Sequence, residues 1–184
     1  MPSKPVEASY VSRPAEVERA LALAALAALA AGAGILEGLL TLPVPFLRLG
    51  LANVFVAVAV WRWGARGGLA VAAAKVLAPA LFLGTLLSPV LPMNLGGTVL
   101  SWAVMAAVAA AARGRVGGVI PASAAGGALH GAWDGVYVGW LAGFGGPYLA
   151  PVLALWGLAA GVIVGIIAVR VLSLTGRGVY ERAY

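Results

Sequence analysis

Long runs of apolar residues, separated by short stretches that contain proline, glycine or arginine, extend from Val17 to Leu172. A helix needs about 20 mainly apolar residues to cross a lipid bilayer. Only 10% of the 184 residues are charged and 62% are hydrophobic, so the chain has too few charges to cover the surface of a soluble domain. Because the runs are continuously apolar rather than alternating, they predict helices. The sequence therefore predicts an all-α, polytopic membrane protein.

Six apolar segments predict six transmembrane helices. The breaks between them contain residues that end helices, such as Pro43 and Pro45 after the first segment. The predicted helices cover approximately residues Val17–Leu40, Phe46–Trp63, Gly68–Leu87, Leu95–Ala112, Gly118–Leu141 and Tyr148–Leu172. They divide the chain into a polar cytoplasmic N-terminal arm (1–16), a six-helix transmembrane domain (17–172) and a cytoplasmic tail (173–184).

Lysine and arginine are distributed unevenly between the two sides of the predicted bundle. If the chain crosses the membrane six times, only Arg48 lies on the side opposite the termini. The residues on the side of the termini are Lys4, Arg13, Arg19, Arg62, Arg66, Arg113, Arg115, Arg170, Arg177 and Arg182. Cytoplasmic loops carry such an excess, so both termini are predicted to be cytoplasmic. The net charge of +6 reflects this topology and does not predict binding to nucleic acid.

Small residues recur at every fourth position on three of the predicted helices. Such a ridge lets another helix approach closely. The ridges are Ala20, Ala24, Ala28 and Gly32 on the first helix, Gly127, Gly131, Gly135 and Gly139 on the fifth, and Gly157, Gly161 and Gly165 on the sixth. The glycine ridges predict packing within the bundle, whereas the alanine ridge of the first helix is predicted to face a partner protein.

Polar side chains within the apolar segments predict a binding pocket, because ionisable groups are costly inside a membrane. His130 and Asp134 share one helix face, beside the glycine ridge. The predicted pocket residues are Glu37, Arg48, Asn53, Asn94, His130, Trp133 and Asp134. Lys75 is set apart: its long side chain is expected to extend toward the cytoplasmic surface. Alternative interpretations remain open: Arg48 at the membrane interface, Glu37 as only the salt-bridge partner of Arg48, a purely interhelical hydrogen bond for His130, and core packing for Trp133.

The residue inventory does not predict an enzyme. The chain has no cysteine and a single histidine, so it lacks the ordinary ligands of zinc, haem and iron–sulfur sites. Asp134 is the only aspartate, and no aspartate-rich pair is available to hold Mg²⁺ against a diphosphate. No cofactor, metal site or catalytic residue is therefore predicted. Any uptake would draw its energy from a partner or an ion gradient.

Three stretches resemble a bacterial membrane family labelled heptaprenyl diphosphate synthase component I, also called the Gx transporter family. The first stretch begins LPVPFLRLGLAN at Leu42 and extends to Val90. The other two are GGTVLSWAVM, at Gly96–Met105, and GGALHGAW, around His130. The resemblance covers about Ile35 to Asp134, and it implies a place in the cytoplasmic (inner) membrane of a bacterium.

That family is similar to the substrate-binding S components of energy-coupling-factor (ECF) vitamin transporters. The resemblance implies a six-helix bundle whose alanine-rich first helix docks onto a transmembrane coupling subunit. Glu37, Arg48, Asn53 and His130 match the family's polar pattern. The chain departs from the pattern where the family usually has asparagine, glutamine and arginine: here these positions are Gly131, Asp134 and Lys75.

Two functions from different classes follow as hypotheses. In the first, the protein is an S-component-like subunit that binds a small, vitamin-like solute and works with an ECF coupling subunit and ATPases. In the second, it is a non-catalytic membrane subunit of an isoprenoid, quinone or flavin-linked redox complex. A third interpretation, a packing scaffold without a ligand, predicts that substitutions of His130 and Asp134 have little effect.

Overall fold

The computed structural model describes residues 14–40, 49–143 and 148–175, and these residues form an all-helical bundle without strands. The all-α prediction is therefore confirmed for the described residues. The helices are α1 (Pro14–Leu39), α2 (Ala52–Phe82), α3 (Val90–Ala111), α4 (Val119–Leu141) and α5 (Ala150–Leu174), with a short 3₁₀ turn, Val116–Gly118, before α4.

Helix α2 reverses direction at Gly64. This glycine has φ 72° and ψ −170°, a conformation that L side chains rarely adopt. Beyond it the chain folds back, because a Cβ on Gly68 would touch the side chain of Val60, two helical turns earlier. In a straight helix these residues would be about 12 Å apart. Helix α2 therefore consists of two antiparallel arms, residues 52–63 and 65–82.

The two arms correspond to the predicted second and third helices, Phe46–Trp63 and Gly68–Leu87. They follow one another directly, because Gly64 lets the chain turn without an intervening loop. The predicted start of the second helix, Phe46, lies outside the described residues.

Four of the five described helices are long and apolar enough to cross a membrane, so this is a multi-pass membrane protein. They are α1, α2, α3 and α5. Helix α4 is not among them, although it is as long as α3. Its glycines, Ser123, His130 and Asp134 lower its hydropathy, and ionisable residues in membrane helices usually face the interior of the bundle or a cavity.

The first arm of α2 forms the centre of the hydrophobic core. Every residue from Val56 to Trp61 is buried, including side chains on all sides of the helix. Helix α1 packs mainly against α2, while α2, α3, α4 and α5 each contact their neighbours around this arm. A helix that is apolar all round is expected at such a central position.

Helices α4 and α5 pack with their backbones in direct contact. A Cβ on Gly127 would collide with the carbonyl oxygen of Gly157, and a Cβ on Gly157 would collide with that of Gly127. One turn away, a Cβ on Gly161 would collide with the Ser123 carbonyl oxygen. The prediction that the glycine ridges pack within the bundle is confirmed.

The described arginines gather at one end of the bundle. Arg62 donates a hydrogen bond to the carbonyl oxygen of Thr175, and the indole of Trp61 donates one of 3.2 Å to the carbonyl of Arg115. We call this the arginine end. Helix α1 begins there, because Leu23 lies 3.5 Å from the position of a Cβ on Gly67.

Candidate functional site

A cavity of about 400 Å³ lies inside the bundle, and all five helices contribute to its lining. It extends from the turns around Gly50 and Thr85, opposite the arginine end, inward between α3, α4 and α5. Its polar lining residues are Glu37, Asn53, Lys75, Thr85, Asn94, Thr98, Ser101, Ser123, His130 and Asp134. The cavity therefore collects charged and polar groups within an otherwise apolar bundle.

Lys75 lies in the cavity wall and connects three parts of the bundle. Its Nζ donates hydrogen bonds to Asn53 Oδ1 at 2.7 Å and to Thr98 Oγ1 at 3.0 Å. Asn53 belongs to the other arm of α2, and Thr98 lies on α3. The expectation that Lys75 extends toward the cytoplasmic surface is wrong. These two oxygen acceptors, one of them on the buried Thr98, hold the ammonium group inside, which offsets the cost of removing it from water.

His130 and Asp134 meet on the cavity side of α4. Their Nε2 and Oδ2 atoms are 3.5 Å apart, and both side chains are mostly buried. The imidazole lies directly on Gly97 of α3, where a Cβ would come within 2.6 Å of Nε2. The absence of a side chain at Gly97 therefore allows the histidine ring to reach the cavity.

Trp133 packs between helices and is not among the lining residues. Its Nε1 donates a 3.0 Å hydrogen bond to the carbonyl oxygen of Met93, and its ring lies on Gly96. Tyr137 lies one turn along α4, with the two ring centroids 6.0 Å apart. The consecutive glycines of α3 thus accommodate two rings of α4, one directed to the cavity and one to the helix interface.

Glu37 lines the cavity at the end of α1 and also meets the start of α2. Its Oε1 accepts a 2.5 Å hydrogen bond from the backbone N–H of Leu51. The first N–H groups of a helix have no partner within the helix, and a carboxylate there is favourable. Asn94 lines the same part of the cavity, whereas Arg48 lies outside the described residues.

Three hydroxyl residues of the lining did not emerge from the sequence. Thr98, Ser101 and Ser123 are buried. A signal existed on α3, because Asn94, Thr98 and Ser101 follow one another at helical spacing and so share a face. Single hydroxyls are common in membrane helices, where they also serve helix packing, and this stripe is therefore weak in the sequence alone.

A family model described as heptaprenyl diphosphate synthase component I matches residues 26–171. The chain belongs to this family. The match begins in α1 and ends in α5, so it includes every polar residue of the cavity lining. No curated protein and no solved structure matches the chain.

The alanine ridge of α1 faces away from the rest of the bundle. Ala20, Ala24 and Ala28 are exposed, and a Cβ added to Gly32 would meet no atom within 4 Å. The opposite face of α1 packs on α2, with Gly34 against Pro79 and the Lys75 carbonyl. The ridge is therefore not occupied by the described part of the chain.

Proposed function

We propose that this protein is the solute-binding membrane subunit of an ECF-type uptake transporter and binds a small organic, vitamin-like molecule. The observation that carries the proposal is the cavity, into which Glu37, Asn53, Lys75, His130 and Asp134 converge. Small-molecule sites are concave, mostly apolar and supplied with a few convergent polar groups. The cavity volume of about 400 Å³ falls within the range of such sites.

Ionisable groups are energetically costly to place inside a membrane protein, and this cost supports a binding role over a packing role. Ionisable side chains in membrane segments are rare and mark ligand pathways or sites. Packing alone is achieved between α4 and α5 by glycines without any charge. Carboxylate, imidazole and ammonium groups around one cavity offer complementary partners to a solute that itself carries polar or charged groups.

The same residues fit a protein that binds a solute and catalyses no reaction itself. The cavity presents hydrogen-bonding groups, but the chain has no cysteine and only one aspartate, so it has few groups for nucleophilic or metal-assisted chemistry. We propose that the synthase term in the family description does not refer to a reaction performed by this chain.

The transport partner would be an ECF coupling subunit with its ATPases, and the alanine ridge of α1 would be its docking face. Exposure of Ala24 and Ala28 supports this proposal, since small residues let a partner helix approach closely. In the proposed topology, α2 contributes two spans and α4 one, which gives six spans. The arginine end would then face the cytoplasm of a bacterial cell, with both termini on that side.

The first experiment is mass spectrometry of small molecules released from the purified protein. We expect a water-soluble compound in the wild-type sample that is reduced at least about tenfold in His130→Ala and Asp134→Asn, since losing a buried charge-assisted contact costs more than about 1.4 kcal/mol. Ser173→Ala is the matched control, because Ser173 is exposed at the arginine end, where its hydroxyl donates to the Arg170 carbonyl.

The outcomes separate the candidate functions. A quinone or prenyl lipid that depends on His130 and Asp134 would contradict uptake of a vitamin-like solute and favour a membrane subunit of a redox complex. Equal amounts of every compound in all four samples would show that the cavity binds no solute, and would leave only a packing role.

A further inference from the structure

The cavity is elongated, and its two ends differ chemically. Along α4 its lining runs from Asp134 to Ser123, a distance of about three helical turns or about 16 Å. The charged groups lie toward the mouth. The far end, which we call the inner subsite, is lined by Ser101, Met105, Ser123, Ala160 and Val164.

The inner subsite is narrow and mostly without charge. Between it and the charged end the wall consists partly of Gly127 and Gly157, and Gly161 lies level with Ser123. All three contribute backbone instead of side chains. Such a wall suits a slender or flat group, because a bulky one would require the two helices to separate. Met105 and Val164 add apolar surface.

Ser123 supplies one polar group at this far end. Its side chain is 3% exposed, and its Oγ has no hydrogen-bond partner within the described part of the chain. Buried hydroxyls are nearly always hydrogen-bonded, and a buried unsatisfied one costs about 1–3 kcal/mol. A serine in a helix usually has the option of bonding a carbonyl of the preceding turn, but Ser123 does not do so here.

We propose that the inner subsite holds the slender end of an elongated solute, and that Ser123 hydrogen-bonds a polar atom at that end. The solute would then be a molecule with a polar head among Lys75, His130 and Asp134, a thin apolar or flat middle, and a hydroxyl, carbonyl or amine at its far end. This inference rests on the proposed function and adds the shape and chemical class of the solute.

The test compares two adjacent alanines of α5. Ala160 lines the inner subsite, whereas Ala159 is exposed on the outer surface of the helix. Ala160→Leu adds side-chain volume to the subsite, so the solute no longer fits without displacing packed side chains. The amount of compound released from the purified protein should therefore fall at least about tenfold. Ala159→Leu should release as much as wild type, and Ser123→Ala should release about tenfold less.

A labelling experiment tests the subsite without knowledge of the solute. The chain has no cysteine, so Ser123→Cys introduces a single thiol. Methyl methanethiosulfonate should label this thiol in lipid nanodiscs, and a bulky naphthyl analogue should label it at least about tenfold more slowly, because the narrow wall excludes it. Adding Ala160→Leu to Ser123→Cys should block the small reagent, and adding Ala159→Leu should not.

The possible failures are distinguishable. If Ala160→Leu retains the compound at the wild-type level, while His130→Ala loses it, the inner subsite is not used and the proposed function stands. If Ser123→Ala retains it, the hydrogen bond is overturned. Equal labelling by the two reagents overturns the narrow shape. If no compound depends on His130 and Asp134, the proposed function and this inference fail together.

Discussion

Lys75 Nζ and Asn53 Oδ1 are joined by a 2.7 Å hydrogen bond, although 22 residues separate them along α2. The bond exists because α2 reverses at Gly64 and brings its two arms side by side. The same ammonium group also reaches Thr98 on α3. Lys75 therefore connects the hairpin of α2 to the next helix and places a positive charge in the cavity wall.

Replacement of Lys75 by methionine should destabilise the protein. The change leaves the acceptor oxygens of Asn53 and Thr98 without their donor in a partly buried setting, which costs about 1–3 kcal/mol. Thermal unfolding in mild detergent measures the loss as a lower midpoint. Lys75→Arg is the control, because guanidinium retains both charge and donors. An unchanged midpoint for Lys75→Met would show that these bonds do not contribute to stability.

Substitutions at Gly96 and Gly97 of α3 should distinguish an effect on solute binding from an effect on helix packing. Gly97→Ala should push the His130 ring away from the cavity, since a Cβ there lies within 2.6 Å of Nε2. We expect the released compound to fall about tenfold, as for loss of a hydrogen bond to a charged group. Mass spectrometry of the purified variant measures it.

Gly96→Ala is the matched variant on the neighbouring residue. It should displace Trp133, weaken its bond to the Met93 carbonyl and lower stability by about 1–3 kcal/mol, as overpacking does. Solute content per folded protein should remain closer to wild type than in Gly97→Ala. If the two variants lose solute equally, His130 has no special position in the site.

The contact between α4 and α5 should tolerate no added methyl group. A Cβ on Gly157 meets the backbone carbonyl of Gly127, which cannot rotate away as a side chain would. Gly157→Ala should therefore destabilise the bundle by about 1–3 kcal/mol, as measured by thermal unfolding. Gly32→Ala is the control: it meets nothing within 4 Å and removes a helical glycine, so it should be neutral or stabilising. Equal stability of both variants would contradict the close backbone packing.

The exposed ridge of α1 should matter for partner association and not for the fold. Ala24→Leu with Ala28→Leu adds bulk to an exposed face, so we expect a wild-type unfolding midpoint. Co-purification with an ECF coupling subunit should fall strongly, because leucine prevents the close approach that small residues allow. Ala27→Leu is the comparison, since Ala27 packs against the core and its enlargement should lower stability. Unchanged partner recovery would exclude this face as the docking surface.

Several features of the site could be predicted because they depend on local chemistry. His130 and Asp134 are one turn apart on α4, so any helix places them on one face. The glycines of α4 and α5 recur at the same spacing, and their close packing follows from the absence of side chains. Glu37, Asn53 and Asn94 were also identified as polar residues in apolar surroundings, and all three line the cavity.

Other features could not be predicted because they depend on which helix faces which. Lys75 has a stem long enough to reach either the membrane surface or the interior, and only the positions of Asn53 and Thr98 decide between them. Trp133 is adjacent to Asp134 in the sequence, yet successive helical residues point about 100° apart. The ring of Trp133 is therefore directed to the α3 interface and not to the cavity.

The sequence by itself determined that this chain forms apolar helices, that it belongs in a membrane and that its glycine ridges pack closely within the bundle. These properties follow from composition and from spacing along single helices. The tertiary structure decided the reversal at Gly64, the inward direction of Lys75, and the joining of hydroxyls from α3 and α4 with charges from α1, α2 and α4 around one cavity. Such arrangements depend on contacts between residues far apart in the chain, and no local pattern specifies them.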